Sequence, residues 1–359
     1  MRNTAPILLA ATLLTSLGAL HAQTSLLILS KQDHTLAIVD PATLQIVAKA
    51  PVGPDPHEVI ASSDGTTAYV SNYGGGRYNT LDVIDLIHHK ALPSVDLGPI
   101  GGPHGLAFAG EKIWFTSETA KAIASYNPAV HKVDLVLGTG QDHTHMIDVT
   151  PDQKRIISIN TNSVSIFTLE PAAQFGPPPG SQPGGPSGPG GSVGSGPRPA
   201  GPPPGGQPRT AWVHTLIPVG RGSEGFDISP DGKELWTSNA QDGTISVIDL
   251  ASKKLLETFD ADVKSANRLK FTSDGRYALV SLLGTPNLVI VDTATHKVTQ
   301  RIPIGHGAAG ILVDPSGSRA FIACTPDNYV VVLDLHTFKV TGHIDAGPQP
   351  DGMAWATRP

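Results

Sequence analysis

The sequence predicts an all-β protein built from one repeated four-stranded unit, and three observations support this prediction. Residues 224–259 contain four short strand patterns separated by three turns. A triplet of two apolar residues and an aspartate closes the third strand of this unit and recurs along the chain, ending at Asp40, Asp85, Asp249, Asp292 and Asp334. The steps from residue 40 to 85, 249 to 292 and 292 to 334 are 45, 43 and 42 residues. A period of this length with four strands is typical of a β-propeller blade.

The unit at residues 224–259 shows why each of its elements forms. Phe226 and Ile228 alternate with polar neighbours, which is the pattern of a half-buried strand. The run Ser-Pro-Asp-Gly at 229–232 predicts a tight turn, since proline presets φ and glycine tolerates the turn's last position. Residues 235–237, 244–248 and 255–259 are the further strands. Four strands cannot bury both faces of a sheet alone, so the unit must stack on copies of itself.

The amino terminus predicts a secretory signal peptide at residues 1–22. Arg2 precedes an apolar stretch at residues 5–20, and Ala22 offers a small residue for cleavage. We therefore expect a periplasmic or secreted protein with no membrane span after cleavage, the alternative being an uncleaved anchor. The lone Cys324 cannot form an internal disulfide and is expected to be a buried core residue.

The two ends of the mature chain, residues 23–359, complete each other in this prediction. Residues 25–52 contain three strand patterns but lack the first strand of a unit, and residues 351–356 supply one isolated first strand. Pairing them closes the ring and removes exposed sheet edges. The six units between the ends bring the total to seven blades of four antiparallel strands.

One step between units is too long, and residues 171–210 explain it. This stretch consists mainly of Pro, Gly, Ser and Gln and cannot bury enough apolar surface to offset its chain entropy, so we predict a disordered insert. It lies between the third and fourth strands of its blade. A passive loop is the favoured interpretation, and a proline-rich ligand for a protein partner is the alternative.

Short motifs in the repeats carry a resemblance to a known family. They are Ser-Pro-Asp-Gly at 229–232, Thr-Ser-Asp-Gly at 272–275, Tyr-Val-Ser-Asn at 69–72, Val-Ile-Asp at 247–249 and Pro-His-Gly at 103–105. With them the chain resembles the YVTN-repeat, YncE-like family of secreted β-propellers over essentially its whole mature length. The resemblance implies the fold but no single activity, because similar propellers include lactonase-like hydrolases, streptogramin lyases, copper domains and a DNA-binding periplasmic protein.

Alignment of the blades predicts a polar ring at one mouth of the central channel. The residues that start the seven innermost strands are His57, His104, His145, Glu224, Asn267, Ala309 and Asp351. The ends of second strands return to the same face and add Tyr73, Glu118, Asn160 and Asn239. Arg268 and His143 flank the ring.

Three interpretations of this ring stay open on sequence grounds. Copied repeat residues and an ordinary wet channel lining explain it without any function. A divalent metal ion, Zn, Cu or Ca, held by His57, His104 and His145 with Glu224 or Asp351 is the second. The third is a metal-free small-molecule pocket in which a histidine acts as a base and Arg268 or Asn267 holds an anion.

These observations lead to a ranked set of functions. We expect first a monomeric binding or scaffold propeller that takes a small ligand or metal ion at the His-rich mouth, and second a lactonase-like hydrolase or streptogramin-lyase-like enzyme. A scaffold for a protein partner or for DNA comes third, and the net charge of −6 makes nucleic acid the weaker partner. The sequence has no Cys-x-x-Cys-His heme site, no phosphate-binding glycine loop and no Gly-x-Ser-x-Gly elbow.

Overall fold

The structure, a computed structural model, describes residues 23–172 and 210–359 and confirms the seven-bladed propeller. These residues form seven four-stranded antiparallel sheets, and the first strands of the sheets contact one another around a common channel. No α-helix occurs in the described ranges, and none of their helical turns has the length and apolar content needed to cross a membrane. The predicted signal peptide at residues 1–22 lies outside the described residues.

The blades are numbered along the chain, and their strands run from the channel outwards. Blade 1 contains β28 (Pro350–Arg358), β1 (Gln23–Ser30), β2 (Thr35–Val39) and β3 (Ile46–Pro51). Blade 2 contains β4 (Pro56–Ala61), β5 (Thr67–Asn72), β6 (Thr80–Asp85) and β7 (Lys90–Asp96). Blade 3 contains β8 (Pro103–Ala109), β9 (Lys112–Ser117), β10 (Ala122–Asn127) and β11 (Lys132–Gly138). Blade 4 contains β12 (Ile147–Val149), β13 (Arg155–Asn160), β14 (Ser163–Pro171) and β15 (Thr210–Pro218).

The last three blades follow the same order. Blade 5 contains β16 (Ser223–Ile228), β17 (Glu234–Asn239), β18 (Thr244–Asp249) and β19 (Lys254–Asp260). Blade 6 contains β20 (Ala266–Phe271), β21 (Tyr277–Leu282), β22 (Asn287–Asp292) and β23 (Lys297–Pro303). Blade 7 contains β24 (Ala308–Val313), β25 (Arg319–Cys324), β26 (Tyr329–Asp334) and β27 (Lys339–Ile344). Two 3-10 turns, Gly74–Gly76 and Thr325–Asp327, follow the second strands of blades 2 and 7.

The ends of the described chain close the ring as predicted. Strand β28 pairs antiparallel with β1, from Gln23 opposite Arg358 to Ser30 opposite Pro350. Blade 4 keeps its four paired strands despite the insert, because Pro171 pairs with Thr210 where β14 ends and β15 begins. Residues 173–209, the bulk of the predicted insert, lie outside the described residues.

The apolar core lies between adjacent blades rather than inside one of them. The middle strands are buried on both faces, and Trp236, Phe115 and Phe321 are among the largest fully buried side chains. The fourth strands are mostly exposed, as in β19, because only one neighbour covers them. Cys324 is buried on β25, and burial raises the pKa of its thiol to about 12, which agrees with a core residue rather than a nucleophile.

The repeated Asp-Gly turns form as the sequence predicts. The amide of Gly232 donates to the carbonyl oxygen of Ser229 at 2.7 Å, and the Ser229 hydroxyl donates to Asp231 Oδ1 at 2.7 Å. Gly232 has φ of +73°, in the left-handed region that favours glycine. The turn therefore sets the register of β16 against β17, and through it the position of the residues at the channel mouth.

Candidate functional site

In six of the seven blades a β-bulge at the start of the inner strand places the ring residue at the channel mouth, whereas in blade 4 His145 lies just before β12. In blade 2 Pro56 pairs with Asn72 and Val59 with Val70, so His57 and Glu58 together face one residue, Ser71. Equivalent bulges, in which two residues face one, start the inner strands of blades 3, 5, 6 and 7. In blade 1, two residues of β28 likewise face one residue of β1. A bulge turns side chains away from the regular alternation of a strand. The seven predicted ring positions all line one cavity at this end of the channel.

A hydroxyl on the second strand supports each of three bulges and ties it to the next blade. Ser71 Oγ accepts from the Glu58 amide at 3.1 Å and donates to the carbonyl oxygen of His104 at 2.9 Å. Thr116 Oγ1 accepts from the amide of Gly105 at 2.9 Å and donates to the His145 carbonyl oxygen. Ser281 connects blades 6 and 7 in the same way. The hydroxyl of the Tyr-Val-Ser-Asn motif thus fixes the position of a histidine in the neighbouring blade.

The second residue of each bulge determines how closely the blades approach. It is glycine in four blades, and a Cβ on Gly105 would lie 2.6 Å from the carbonyl oxygen of His145. In two other blades it is charged, and Arg268 forms a salt bridge with Glu58. Blades 2 and 6 are not neighbours in the ring, so this pair spans the channel beneath the mouth. The mouth is therefore a cup with an ion pair across its base.

Three imidazole rings lie side by side along one wall of the cup. The ring centroids of His57 and His104 are 4.3 Å apart, and those of His104 and His145 are 3.7 Å apart. His104 is 0% exposed, and neither of its ring nitrogens has a hydrogen-bond partner among the described residues. Burial and the neighbouring histidines hold its pKa well below the ordinary value. His104 is therefore a neutral imidazole with a free lone pair and no partner for it.

Glu118 is the anion that organises this side of the cup. Its Oε1 accepts from His145 Nδ1 at 2.8 Å and from His143 Nδ1 at 3.1 Å, and the Tyr73 hydroxyl donates to Oε2. Burial favours a raised pKa for Glu118, but these three hydrogen bonds outweigh it and the pKa is lowered. The hydrogen bond to Glu118 raises the pKa of His143. For His145, burial is the larger influence and its pKa is lowered.

His57 belongs to a second group, centred on Lys31 of blade 1. The Lys31 ammonium donates to His57 Nδ1 at 2.6 Å and contacts Asp351 at 3.1 Å and Asp55 at 3.3 Å. Burial lowers the pKa of His57 to about 4, against the opposing effect of Asp351. Because Lys31 donates to Nδ1, that nitrogen is an acceptor and is already used.

The structure brings most of the predicted site residues around one cavity of 430 Å³. The predicted residues that line it are His57, Tyr73, His104, His145, Glu224, Asn267, Arg268 and Asp351. Glu118 lies behind this lining and contacts it through Tyr73 and His145. His143, noted only as a flanking residue in the sequence, also lines the cavity.

Asn160 and Asn239 do not reach the cavity. Each is the last residue of its second strand, and its side-chain amide donates to hydroxyl groups of the third strand in the same blade. Tyr73 and Glu118 lie one residue beyond the ends of β5 and β9. A shift of one residue moves a side chain to the other face of a sheet, which is why the four positions are not equivalent.

The ligand atoms that could hold one metal ion come from His104, Glu118 and His145, and they lie within 4.8 Å of one another. The predicted set of His57, His104, His145 and Glu224 therefore overlaps with this group in two residues. His57 is bonded to Lys31, and the Glu224 carboxylate accepts from Asn267 Nδ2 at 3.0 Å.

Comparison with known proteins confirms the predicted resemblance. The chain is 25% identical over 144 residues to proteins named YncE and described as uncharacterized, from Salmonella typhi and Salmonella typhimurium. That match covers 39% of this chain and 40% of each relative, so the chain spans less than half the length of these relatives.

A family model and two solved structures add to this picture. The model for the cytochrome D1 heme domain matches residues 212–324. A candidate 6-phosphogluconolactonase from Bacteroides uniformis has a TM-score of 0.66 at 14% identity, covering 92% of this chain and 99% of that one. The dihydro-heme d1 dehydrogenase NirN has a TM-score of 0.59 at 15% identity, covering 92% and 74%. At these identities the two structures show the fold alone.

The residues of the cup do not fit a heme. A heme iron needs an axial side chain that approaches the open face of a flat macrocycle. The histidines inside the matched residues are His214, His296 and His306, and none of them lines the cavity. His104 lies outside the match and is enclosed, with the rings of His57, Tyr73 and His145 within 5.0 Å. The similarity to the heme domain is a similarity of fold.

Proposed function

We propose that this protein is an exported propeller that binds one divalent metal ion in its channel mouth, through His104, His145 and Glu118. The observation that carries the proposal is the fully buried His104 ring, whose two nitrogens have no partner among the described residues. A buried polar group without a partner costs about 1–3 kcal/mol. A bound ion would remove this cost at one nitrogen.

The protonation states of the three residues suit metal binding. The pKa values of His104 and His145 are lowered by burial, so both imidazoles are neutral at pH 7 and can ligate. His145 Nδ1 lies 2.8 Å from Glu118 Oε1, and an ion bound by these two atoms would replace the proton that they share, as metal ligation does. Tyr73 and His143 hold the Glu118 carboxylate in place. This is the ligand support that metal sites use to fix geometry.

The chemistry of the donors favours some ions over others. Two imidazoles and one carboxylate suit Zn²⁺, Cu²⁺ or Fe²⁺. Ca²⁺ prefers six to eight oxygen ligands, which this group does not provide. We therefore expect Zn²⁺ and Cu²⁺ to bind and Ca²⁺ not to bind.

The charges around the cup favour a binding site for cations over an enzyme acting on anionic substrates. Lys31 and Arg268 are the cations that line the cavity, and both are paired with carboxylates. Neither is free to hold a phosphate or carboxylate group of a substrate. The lactonase-like alternative therefore has weaker support. Export is proposed from the amino-terminal sequence alone.

Calorimetric titration of untagged, metal-free protein tests the proposal. Wild type should bind one Zn²⁺, and His104→Ala should weaken binding about 100-fold or more because a ligand is lost. His306→Ala is the matched control, since His306 is an exposed histidine paired with Asp327 and should leave binding unchanged. Absence of Zn²⁺ and Cu²⁺ binding in wild type, or equal binding in wild type and His104→Ala, would refute the proposal.

A further inference from the structure

The cup is much larger than a metal ion requires. Its volume is 430 Å³, whereas one water molecule occupies about 30 Å³ in the liquid. Pockets that hold organic ligands measure about 300–1,000 Å³. An ion with a few waters would leave most of the cup unfilled by ligand.

The two halves of the cup differ in chemistry. Blades 2, 3 and 4 supply the imidazole rings and Tyr73. Blades 6 and 7 supply the apolar side chains, Leu283, Ala309 and Pro326, beside the polar Asn267, Arg268 and Thr325. Leu283 is 47% exposed, a high value for a large apolar side chain. Ala309 is the small apolar member of a ring that is otherwise polar, and its size leaves room in front of it. This half suits the hydrocarbon part of a ligand.

Between the two halves lies a carboxylate with an unusual environment. Of the carboxylates around the mouth, Asp55 and Asp351 are paired with Lys31, Glu58 with Arg268, and Glu118 with two histidines. Glu224 has no cationic partner among the described residues. Its hydrogen-bond donor is the neutral amide of Asn267, at 3.0 Å. An ammonium group from a ligand would form a charged hydrogen bond with the Glu224 carboxylate.

We propose that the cup binds a small primary amine with a short apolar body. Its ammonium group would donate to Glu224 and its hydrocarbon part would pack on Leu283, Ala309 and Pro326. A second polar group, next to the amine, would supply a donor atom that completes the coordination of the metal. The last contact rests on the proposed function, whereas the first two do not depend on the metal. An α-amino acid with a branched aliphatic side chain has all three features.

Three probes of similar skeleton separate these contacts by calorimetry. L-Leucine carries the amine, a carboxylate and the apolar body. 3-Methylbutylamine lacks the carboxylate, and 4-methylpentanoate lacks the amine. With Zn²⁺-loaded protein, L-leucine should bind most tightly and 4-methylpentanoate about tenfold or more weakly, because a charged hydrogen bond is lost. Without Zn²⁺, binding of L-leucine should weaken and binding of 3-methylbutylamine should not change.

Two variants connect the result to Glu224. Glu224→Gln keeps the shape and the acceptor for Asn267 but removes the charge, so both amines should bind about tenfold or more weakly. Its affinity for Zn²⁺ should be unchanged. Glu111→Gln, at an exposed turn residue, is the matched control and should alter neither affinity.

The outcomes distinguish this inference from the proposed function. If Zn²⁺ binds but the two amines bind no better than 4-methylpentanoate, the inference is overturned and the metal site stands. If Glu224→Gln abolishes a second equivalent of Zn²⁺, Glu224 is a metal ligand and the inference is also overturned. If Zn²⁺ does not bind, the proposed function fails, and binding of 3-methylbutylamine that requires Glu224 would still support the amine site.

Discussion

Replacing Arg268 by methionine is expected to destabilise the ring, because it leaves Glu58 unpaired beneath the mouth. The side chains of Arg268 and Glu58 are only 7% and 13% exposed. Removing one partner of a buried ion pair typically costs about 3–5 kcal/mol. Burial already raises the pKa of Glu58, and loss of the guanidinium would raise it further.

Protonation of Glu58 limits the loss and gives it a pH dependence. Bringing a carboxyl of ordinary pKa 4.5 to its neutral form at pH 7 costs about 3.4 kcal/mol. At pH 5 the same step costs about 0.7 kcal/mol. A carboxyl whose pKa is raised on folding loses stability as the pH rises, so the variant should approach wild type as the pH falls.

Differential scanning calorimetry at pH 7 and pH 5 measures this effect. The 300 described residues imply an unfolding entropy of about 0.6 kcal/mol/K, so a loss of 3.4 kcal/mol lowers the melting temperature by about 5–6 °C. Arg221→Met is the control, since Arg221 pairs with Asp242 at the surface and should cost about 1 kcal/mol or less. A drop below about 2 °C at pH 7, or an equal drop at both pH values, would refute the reasoning.

Four further predictions follow from the same structure. Gly105→Ala should lower stability by about 1–3 kcal/mol in chemical denaturation and weaken Zn²⁺ binding, because its Cβ would overlap the next blade. Gly138→Ala, whose Cβ would meet open space, should change neither the stability nor the Zn²⁺ affinity. Ser71→Ala should cost about 1–3 kcal/mol in the same assay by leaving the amide of its bulge unpaired, and an unchanged midpoint would contradict the role given to this hydroxyl. The metal-free protein should lose stability as the pH falls from about 6.5 towards 4, because the unfolded chain takes up a proton at His104 that the folded protein excludes. His104→Gln should make the free energy of unfolding less dependent on pH in this range, and an unchanged dependence would count against a buried neutral ring. Replacing residues 173–209 by a short Gly-Ser turn should leave the melting temperature nearly unchanged, since this sequence has little apolar surface to bury, and a drop of many degrees would show that it packs on the ring.

The repeat period allowed the blades and the ring positions to be predicted from sequence. His57, His104 and Glu224 each occupy the second position of an inner strand, so aligning the repeats brings them to one mouth. The period could not show which of them touch. Glu118 rather than Glu224 joins the histidines because it follows β9, where it contacts His143 and His145 of the next blade.

Two other features of the site were missed, each for a different reason. Lys31 follows β1, and it reaches His57 only because blade 1 closes beside blade 2. Asn160 resembled Glu118 in the repeat alignment, but the strand ends differ by one residue. The motif itself could have corrected this, because aligning Tyr-Val-Ser-Asn at 69–72 with residues 157–160 places Asn160 with Asn72 and not with Tyr73.

The pairing of β28 with β1 has a consequence for how the protein folds. Gln23 and Arg358 are partners from opposite ends of the described chain, so blade 1 cannot be completed until β28 has been synthesised. Blades 2 to 7 are each continuous in sequence and can form earlier from local contacts. Until closure, β1 has an unpaired inner edge and the channel has a gap beside His57 and Lys31. We therefore expect closure to be a late step in folding, and the cup to be competent to bind only when closure is complete.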